Sequence, residues 1–494
     1  MDEFSNYVLA MFDVRGKQEY IYRSSKIKEI VGGSKIIEDI FEDYLYDIAR
    51  DVTKKQLRRP DGAFSLDELI QDKKSCGEVV YDGGGDFLVI FKDEKDCRDI
   101  YYKFTKKVLE ETGTLRILMT YVTGLNKDDF KGDRERLYRK HKVNENRDAA
   151  SLPIETLPVV QADLQTGMPL TAWNPYTGRS NDKLTFEQKK KLEKFEKSGA
   201  KRMTGVQQLD DMTSEDDSLI AIVFIDGNGM GAMKSQLLEN CTDYDTCANK
   251  MRAFSASIRK AFIQDREKLL VPGKMRYIIR AGEDFNLICN AHDVYGFAKS
   301  YVKAVYDSSE TLEGVDRRFS CCAGIAVMHS HAPFSEAYRI AEELCESGKK
   351  INNEKYYKDG SFLDFHFLRS AIGIDLKTMR RDEDEENTSR PWLICGGNPD
   401  AETTVADAEK MRKCLDIFAR NNVKDLLGPV CAGGAELDLE LRRIISHLSD
   451  EKKILLFDSL GCTHNMNDAV ARLEEQQTLM KDVILMYDLG FAEA

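Results

Sequence analysis

The chain has 494 residues, 42% of them hydrophobic and 32% charged, with a formal net charge of −13. That length suits two to four domains, and an acidic surface repels nucleic acid except at a local basic groove. No run of 18 apolar residues marks a membrane span, and Met1-Asp2-Glu3-Phe4 lacks the basic-then-apolar pattern of an export signal. Twelve cysteines without CxxC pairs read as reduced thiols of a cytoplasmic protein, not as a zinc site.

Residues 7–12 read as a buried strand that ends on Asp13. Gly16, Lys17 and Gln18 lead into an amphipathic helical pattern through Ile27, Ile30, Ile36 and Ile40. Gly32-Gly33-Ser34 interrupts it and predicts a break between two helices, with exposed backbone N–H groups for a phosphate or base. A hairpin follows, with strands at 78–81 and 87–91 and a turn made of Asp82, Gly83, Gly84, Gly85 and Asp86. Then come a helix at 94–111 and a strand at 115–122.

The same order recurs. Residues 220–225 run into Asp226 as 8–12 run into Asp13. Residues 276–279 and the turn Ala281-Gly282-Glu283-Asp284-Phe285 match the first hairpin, and 292–306 and 319–327 match the later helix and strand. This predicts an internal duplication of one α/β unit of about 130 residues. Between the copies lies a charged stretch with a helix at 184–197, a small hairpin pairing 157–161 with 166–170, and an acidic loop at 208–217. A helix at 337–350, a strand at 362–368 and a charged linker at 377–390 follow the second copy, and 391–494 has helical periodicity. The expected fold is α/β (α+β), with domains at 1–125, 126–216, 217–376 and 391–494.

Asp226 ends a buried strand, and Glu283 and Asp284 sit in a tight turn between two strands. Pairing those strands brings the three acids to one sheet edge, where they suit catalysis with two Mg or Mn ions. The carbonyl of Ile225 or Gly227 is a further ligand, and the turn Gly227-Asn228-Gly229-Met230-Gly231 opens a helix whose N–H groups suit a triphosphate. Lys349 and Lys350 are candidates to neutralise phosphate. Asp13 and Asp86, with Gly84 and Gly85, form a weaker copy that binds nucleotide without chemistry. Each feature has an ordinary reading: a strand-end acid, a solvated hairpin, a lysine pair at a helix C-terminus. Their joint recurrence in both copies favours function. His292-Asp293 carries little weight as a phosphohydrolase motif, because no further His or Asp cluster surrounds it. Ser235, a candidate base contact, reads more simply as a polar helix residue.

These stretches resemble a known family. The turn Ala281–Phe285 with Asp226 upstream looks like the GGDEF/GGDD signature of Palm-type cyclases and polymerases. Residues 12–21 and 28–34, the Asp226–Gly231 turn, and Cys322–Ala326 running on to Pro333, Ala341–Leu344 and Lys349 resemble the CRISPR polymerase family, the large subunit of type III CRISPR effector complexes. The resemblance implies two ferredoxin-like Palm domains in tandem, a GGDEF-like second one, and a helical tail. It implies ATP binding by both Palms, with Asp226, Glu283 and Asp284 as catalytic residues, and metal at Asp226, Gly227, Glu283 and Asp284. Gly227, Asn228, Gly229, Gly231, Ser235, Gly282, Lys349 and Lys350 would hold the nucleotide in the second Palm; Asp13, Ser34, Gly84, Gly85 and Asp86 would hold the other. The product would be a cyclic oligoadenylate or related messenger in antiviral defence. Against the family, the chain is expected to be without the histidine–aspartate nuclease domain, and it departs in having no inter-Palm zinc cysteines and in reading Ala-Gly-Glu-Asp at the turn. It is expected to be a compact relative. Candidate partners are ATP, RNA or an RNA-guided effector complex, and a second copy of the chain; no membrane is expected. The rival expectations are a silent ATP-binding scaffold and a GTP-using dinucleotide cyclase.

Overall fold

The computed structural model describes residues 3–489 except 25, 84–85, 148–158, 165, 177–181, 199–208, 214–216, 265, 309–314, 370–372, 383–386 and 463–464. Two sheets dominate it. In the first unit the elements are β1 (Val8–Arg15), α1 (Lys17–Tyr22), α2 (Ile27–Ile40), α3 (Tyr46–Thr53), β2 (Gln56–Arg58), α4 (Leu66–Gln71), β3 (Ser75–Gly83), β4 (Asp86–Phe91), α5 (Glu94–Thr112) and β5 (Arg116–Val122). Its sheet has the order β2-β3-β4-β1-β5. The linking segment holds α6 (Phe130–Arg147), β6 (Leu170–Trp173), β7 (Lys183–Thr185) and α7 (Phe186–Lys197).

The second unit repeats the plan with β8 (Leu219–Gly227), α8 (Met230–Leu237), α9 (Tyr244–Ile258), β9 (Met275–Ala281), β10 (Asp284–Asn290), α10 (Val294–Asp307) and β11 (Cys321–His329). It adds α11 (Phe334–Glu354), β12 (Ser361–Phe367), α12 (Leu376–Asp382) and β13 (Trp392–Cys395). The sheet order is β13-β12-β11-β8-β10-β9. The duplication is therefore real in three dimensions: β1 lies between β4 and β5 as β8 lies between β10 and β11, all antiparallel. The described helices include none long and apolar enough to cross a membrane.

Strand alternation assigns each sheet two faces. In β8, Ala221, Val223 and Ile225 face one core, with α10 and the C-terminal helices; Ile220, Ile222 and Phe224 face the other, with α11. The second core also takes Ile21, Tyr22, Ile27 and Ile30 from α1 and α2 of the first unit. Reciprocally, Tyr244, Cys247, Ala248 and Met251 of α9 enter the first unit's core with Leu9, Met11, Leu88 and Ile90. Each unit thus lends its post-β helices to the other's sheet.

Three expectations change. Residues 32–34 do not break a helix; α2 runs through them. A Cβ on Gly32 would lie 1.9 Å from the Lys191 carbonyl oxygen, so the glycines form a notch that seats α7. Ser34 is accordingly inside a helix, without free backbone N–H groups. The expected pairing of 157–161 with 166–170 is shifted and shorter: Ala162 bridges Pro169, the Leu170 N–H donates to the Gln161 carbonyl (2.9 Å) and the Asp163 N–H to that of Met168 (2.8 Å). Residues 157–158 lie outside the described residues, and β6 and β7 form a further pair. Finally, Trp392–Cys395 adds an edge strand to the second sheet, and the seven helices between Val405 and Leu485 share that sheet's core.

Candidate nucleotide and metal site

The site forms where β8 ends. Ile225 pairs with Phe285, so the next position along sets Asp226 opposite Asp284, on strands about 4.8 Å apart. Asp284 pairs with Ala281 across a two-residue turn whose first residue, Gly282, has φ +61°. That is the hairpin conformation that calls for glycine, and it places Glu283 beside Gly227: a Cβ on Gly227 would lie 2.9 Å from the Glu283 Cβ. Gly229, at φ +64°, opens α8. A Cβ on Gly231 would meet open space, so the first turn of α8 is accessible to a ligand.

Lys349 arrives from α11. This helix lies directly on the sheet because Gly324 and Gly348 have no side chain; a Cβ would meet the Ala341 carbonyl oxygen at 2.0 Å and the Phe362 Cβ at 2.8 Å, respectively. The Lys349 ammonium donates to Asp226 Oδ2. Burial is the largest single influence and would lower its pKa, but the Asp226 charge and hydrogen bond, with Cys345 and Glu346, together outweigh it and the pKa is raised. Glu283 is pushed up by burial and then by Asp226. Asp284 is pushed up to about 8 by desolvation, then by Asp226 and Glu283, against Lys349 and Lys17. Asp284 is exposed on the surface, so water weakens the desolvation contribution, and repulsion from its two acidic neighbours is the cause that persists. Crowded acids that resist ionising together fit a divalent cation, whose charge would favour their carboxylate forms. Among the described residues no three His, Cys, Asp or Glu side chains form a ready-made metal cage. Magnesium does not need one, since it binds through one or two carboxylates together with substrate phosphates.

Residues 219–357 match the family model of the Cas10/Cmr2 second palm domain. This segment is similar to a Cas10/Cmr2 second palm. Its β8, Gly282 turn and Lys349 all lie within the match. The fold of the whole chain is similar to that of Csm1–Csm4 cassettes solved in complex with cA3 and with pppApA, each at 14% identity and TM-score 0.52. Each alignment covers 98% of this chain, and 70% and 69% of the other, respectively. Csm1 of T. onnurineus aligns at 14% identity and TM-score 0.47, over 97% of this chain and 70% of its own. No curated protein matches the sequence.

Not every residue singled out in the sequence joins the palm site. Asn228 is buried and donates to Ser320 Oγ (3.1 Å) and the Gly360 carbonyl (2.9 Å), so it ties the turn to the sheet. Ser235 donates to the Gly231 carbonyl (2.9 Å) one turn back. Lys350 is exposed, 3.7 Å from Glu354. In the first palm, Asp13 is held by Arg15 (3.0 Å), with His141 Nε2 at 3.8 Å, so its charge is already answered by the chain. Gly84 and Gly85 lie outside the described residues, as does the side chain of Asp86.

Sequence reasoning missed two cations. The Arg317 Nη1 would lie 2.7 Å from a Cβ on Gly229, over the first turn of α8, and its buried Nε, 4.0 Å from Asp316, has no hydrogen-bond partner among the described residues. Lys17, first residue of α1, faces Asp284 from the other palm. The signal for Lys17 was its place one residue after Gly16, which opens α1 at φ +66° as Gly229 opens α8. Arg317 lay on a loop with no motif to mark it.

Proposed function

We propose that the second palm is a nucleotidyltransferase that joins ATP into a cyclic oligonucleotide messenger, in a type III CRISPR-type defence role. One observation carries this reading: Asp226, Glu283, Asp284 and Lys349 converge at one sheet edge, beside the accessible first turn of α8. The palm match supports it, as do the ligands of the similar Csm1–Csm4 structures, cA3 and pppApA.

Asp226 and Asp284, with a neighbouring main-chain carbonyl and Glu283, would hold Mg or Mn. Bound there, the ions supply charge neutralisation at the attacking and leaving oxygens. The chain positions the rest. The first turn of α8 receives the triphosphate, and Lys349 exchanges Asp226 for a phosphate oxygen. A second nucleotide, held on the first-palm side near Lys17, presents its 3′-hydroxyl to the α-phosphate. The P–O bond to pyrophosphate breaks as the new ester forms. Positioning and charge are most of what such a transfer requires.

The Lys349–Asp226 contact also suits a silent scaffold, in which the lysine permanently answers the carboxylate. ATP turnover decides between them. Pyrophosphate release that is lost on Asp284→Ala supports the enzyme; tight ATP binding without release, with Mg or Mn and any added RNA, rejects it. The Csm1–Csm4 likeness makes a partner subunit part of the proposal, with the cytoplasm as its place of action.

A further inference from the structure

Helix α6 runs along β5 of the first palm and buries Phe130, Asp133, Leu137 and His141. Its other side exposes six cations, Lys131, Arg136, Arg139, Lys140, Lys142 and Arg147, and one acid, Glu135. The remaining acid of its C-terminal half, Glu145, is taken by Arg15 at 2.6 Å. Arg136 is turned to the Thr123 and Gly124 carbonyls (3.3 and 3.0 Å), and Lys140 to that of Tyr121 (2.8 Å). Lys131, Arg139, Lys142 and Arg147 make no ion pair or hydrogen bond among the described residues. Some helical lysines elsewhere are paired, Lys194 with Asp39 and Asp43, Lys299 with Glu409, and Lys107 with Glu111; those that are not, among the described residues, such as Lys95, Lys103 and Lys410, do not form a row of this length.

The helix dipole favours cations in a last turn. It accounts for Arg147, but not for Arg139 at mid-helix, and it opposes Lys131 in the first turn. A self-repelling row of cations on a chain of net charge −13 therefore calls for an external polyanion. The row from Lys131 to Arg147 is about 24 Å long at a rise of ~1.5 Å per residue, enough to meet several consecutive phosphates of one strand. A folded protein partner would need an apolar centre to bury, and this face offers only Val143.

We propose that the exposed face of α6 binds the phosphate backbone of a nucleic-acid strand, without reading its sequence. This does not depend on the catalytic reading. The test is fluorescence anisotropy of the whole chain with labelled mixed-sequence oligonucleotides, over a salt series starting at about 50 mM. Single-stranded RNA, single-stranded DNA and duplex are separate arms, which identify the source of the phosphates. The variant Lys131→Gln/Arg139→Gln/Lys142→Gln/Arg147→Gln is compared with Lys95→Gln/Lys103→Gln/Lys106→Gln/Lys410→Gln, which removes the same charge elsewhere. The α6 variant is expected to weaken binding at least tenfold and to flatten the log–log salt slope by up to ~3, at ~0.7 per cation for a single strand. The comparison variant is expected to change neither, and both should melt like the parent chain. The proposal is overturned if the parent chain shows no salt-dependent binding, if both variants weaken it equally, or if the α6 variant loses affinity for polyglutamate but not for the oligonucleotides.

Discussion

Asp226 and Asp284 owe their proximity to strand register, and Lys349 reaches them because two glycines let α11 lie on the sheet. Replacing Asp284 with Ala should lower nucleotide turnover by about 10²–10³-fold or more, the scale for removing one preorganised charge-stabilising group, with the melting temperature unchanged. A steady-state pyrophosphate assay checks this. Lys349→Met should raise KM for ATP by roughly 10–100-fold, the worth of a charge-assisted hydrogen bond. It would also leave Asp226 without its partner. A distant pair gives a pH prediction. Glu111 of α5 binds Lys107 (2.7 Å) and, on α7, Lys190 (2.8 Å), which together hold its pKa down at about 2. Its contribution, on the order of 1 kcal/mol or less for so exposed a group, is present above the ordinary glutamate range. It is lost as pH falls toward 2. Glu111→Gln should remove that part of the acid dependence, as read from urea unfolding at pH 7 and pH 3.

Among elements, strands and acids were legible, and helix packing was not. A continuous apolar run ending in an acid marked β1 and β8, and glycine in a two-residue turn marked the second hairpin. Gly32 carries the same letter but a different physical meaning. Its role depends on the carbonyl of Lys191, more than 150 residues away, and no local pattern reveals that. The same reason hid β13, whose partner strand is β12, and the burial of Asn228, which follows from where Ser320 and Gly360 come to lie. Gly32→Ala should therefore destabilise the α2–α7 contact by about 1–3 kcal/mol through overpacking, although alanine is the better helix former. Thermal melting of this variant beside Gly62→Ala, where no atom lies within 4 Å but φ is +81°, separates packing from backbone strain.

At the scale of the molecule, the two palms are interlocked. Tyr22 of α1 stacks on Tyr338 of α11 at 3.7 Å between centroids, and the Asn286 side-chain amide donates to the Tyr22 hydroxyl at 3.1 Å. Arg252 of α9 returns the contact with hydrogen bonds to Glu78 and the Val79 and Val80 carbonyls. Tyr22→Ala should cost about 3 kcal/mol or more, as for other large buried aromatic side chains. It should also reduce turnover, because α1 carries Lys17 to the second palm. The central claim is that the acids of the second palm act on nucleoside triphosphate. Its most direct measurement is incubation of the purified chain with radiolabelled ATP, GTP, CTP or UTP, with Mg or Mn, followed by chromatography beside the Asp284→Ala variant. A cyclic adenylate product from the parent chain and none from the variant is the expected result. An equal product from both would contradict the assignment of the site, and bound ATP that is never converted, even with RNA added, would contradict the enzyme.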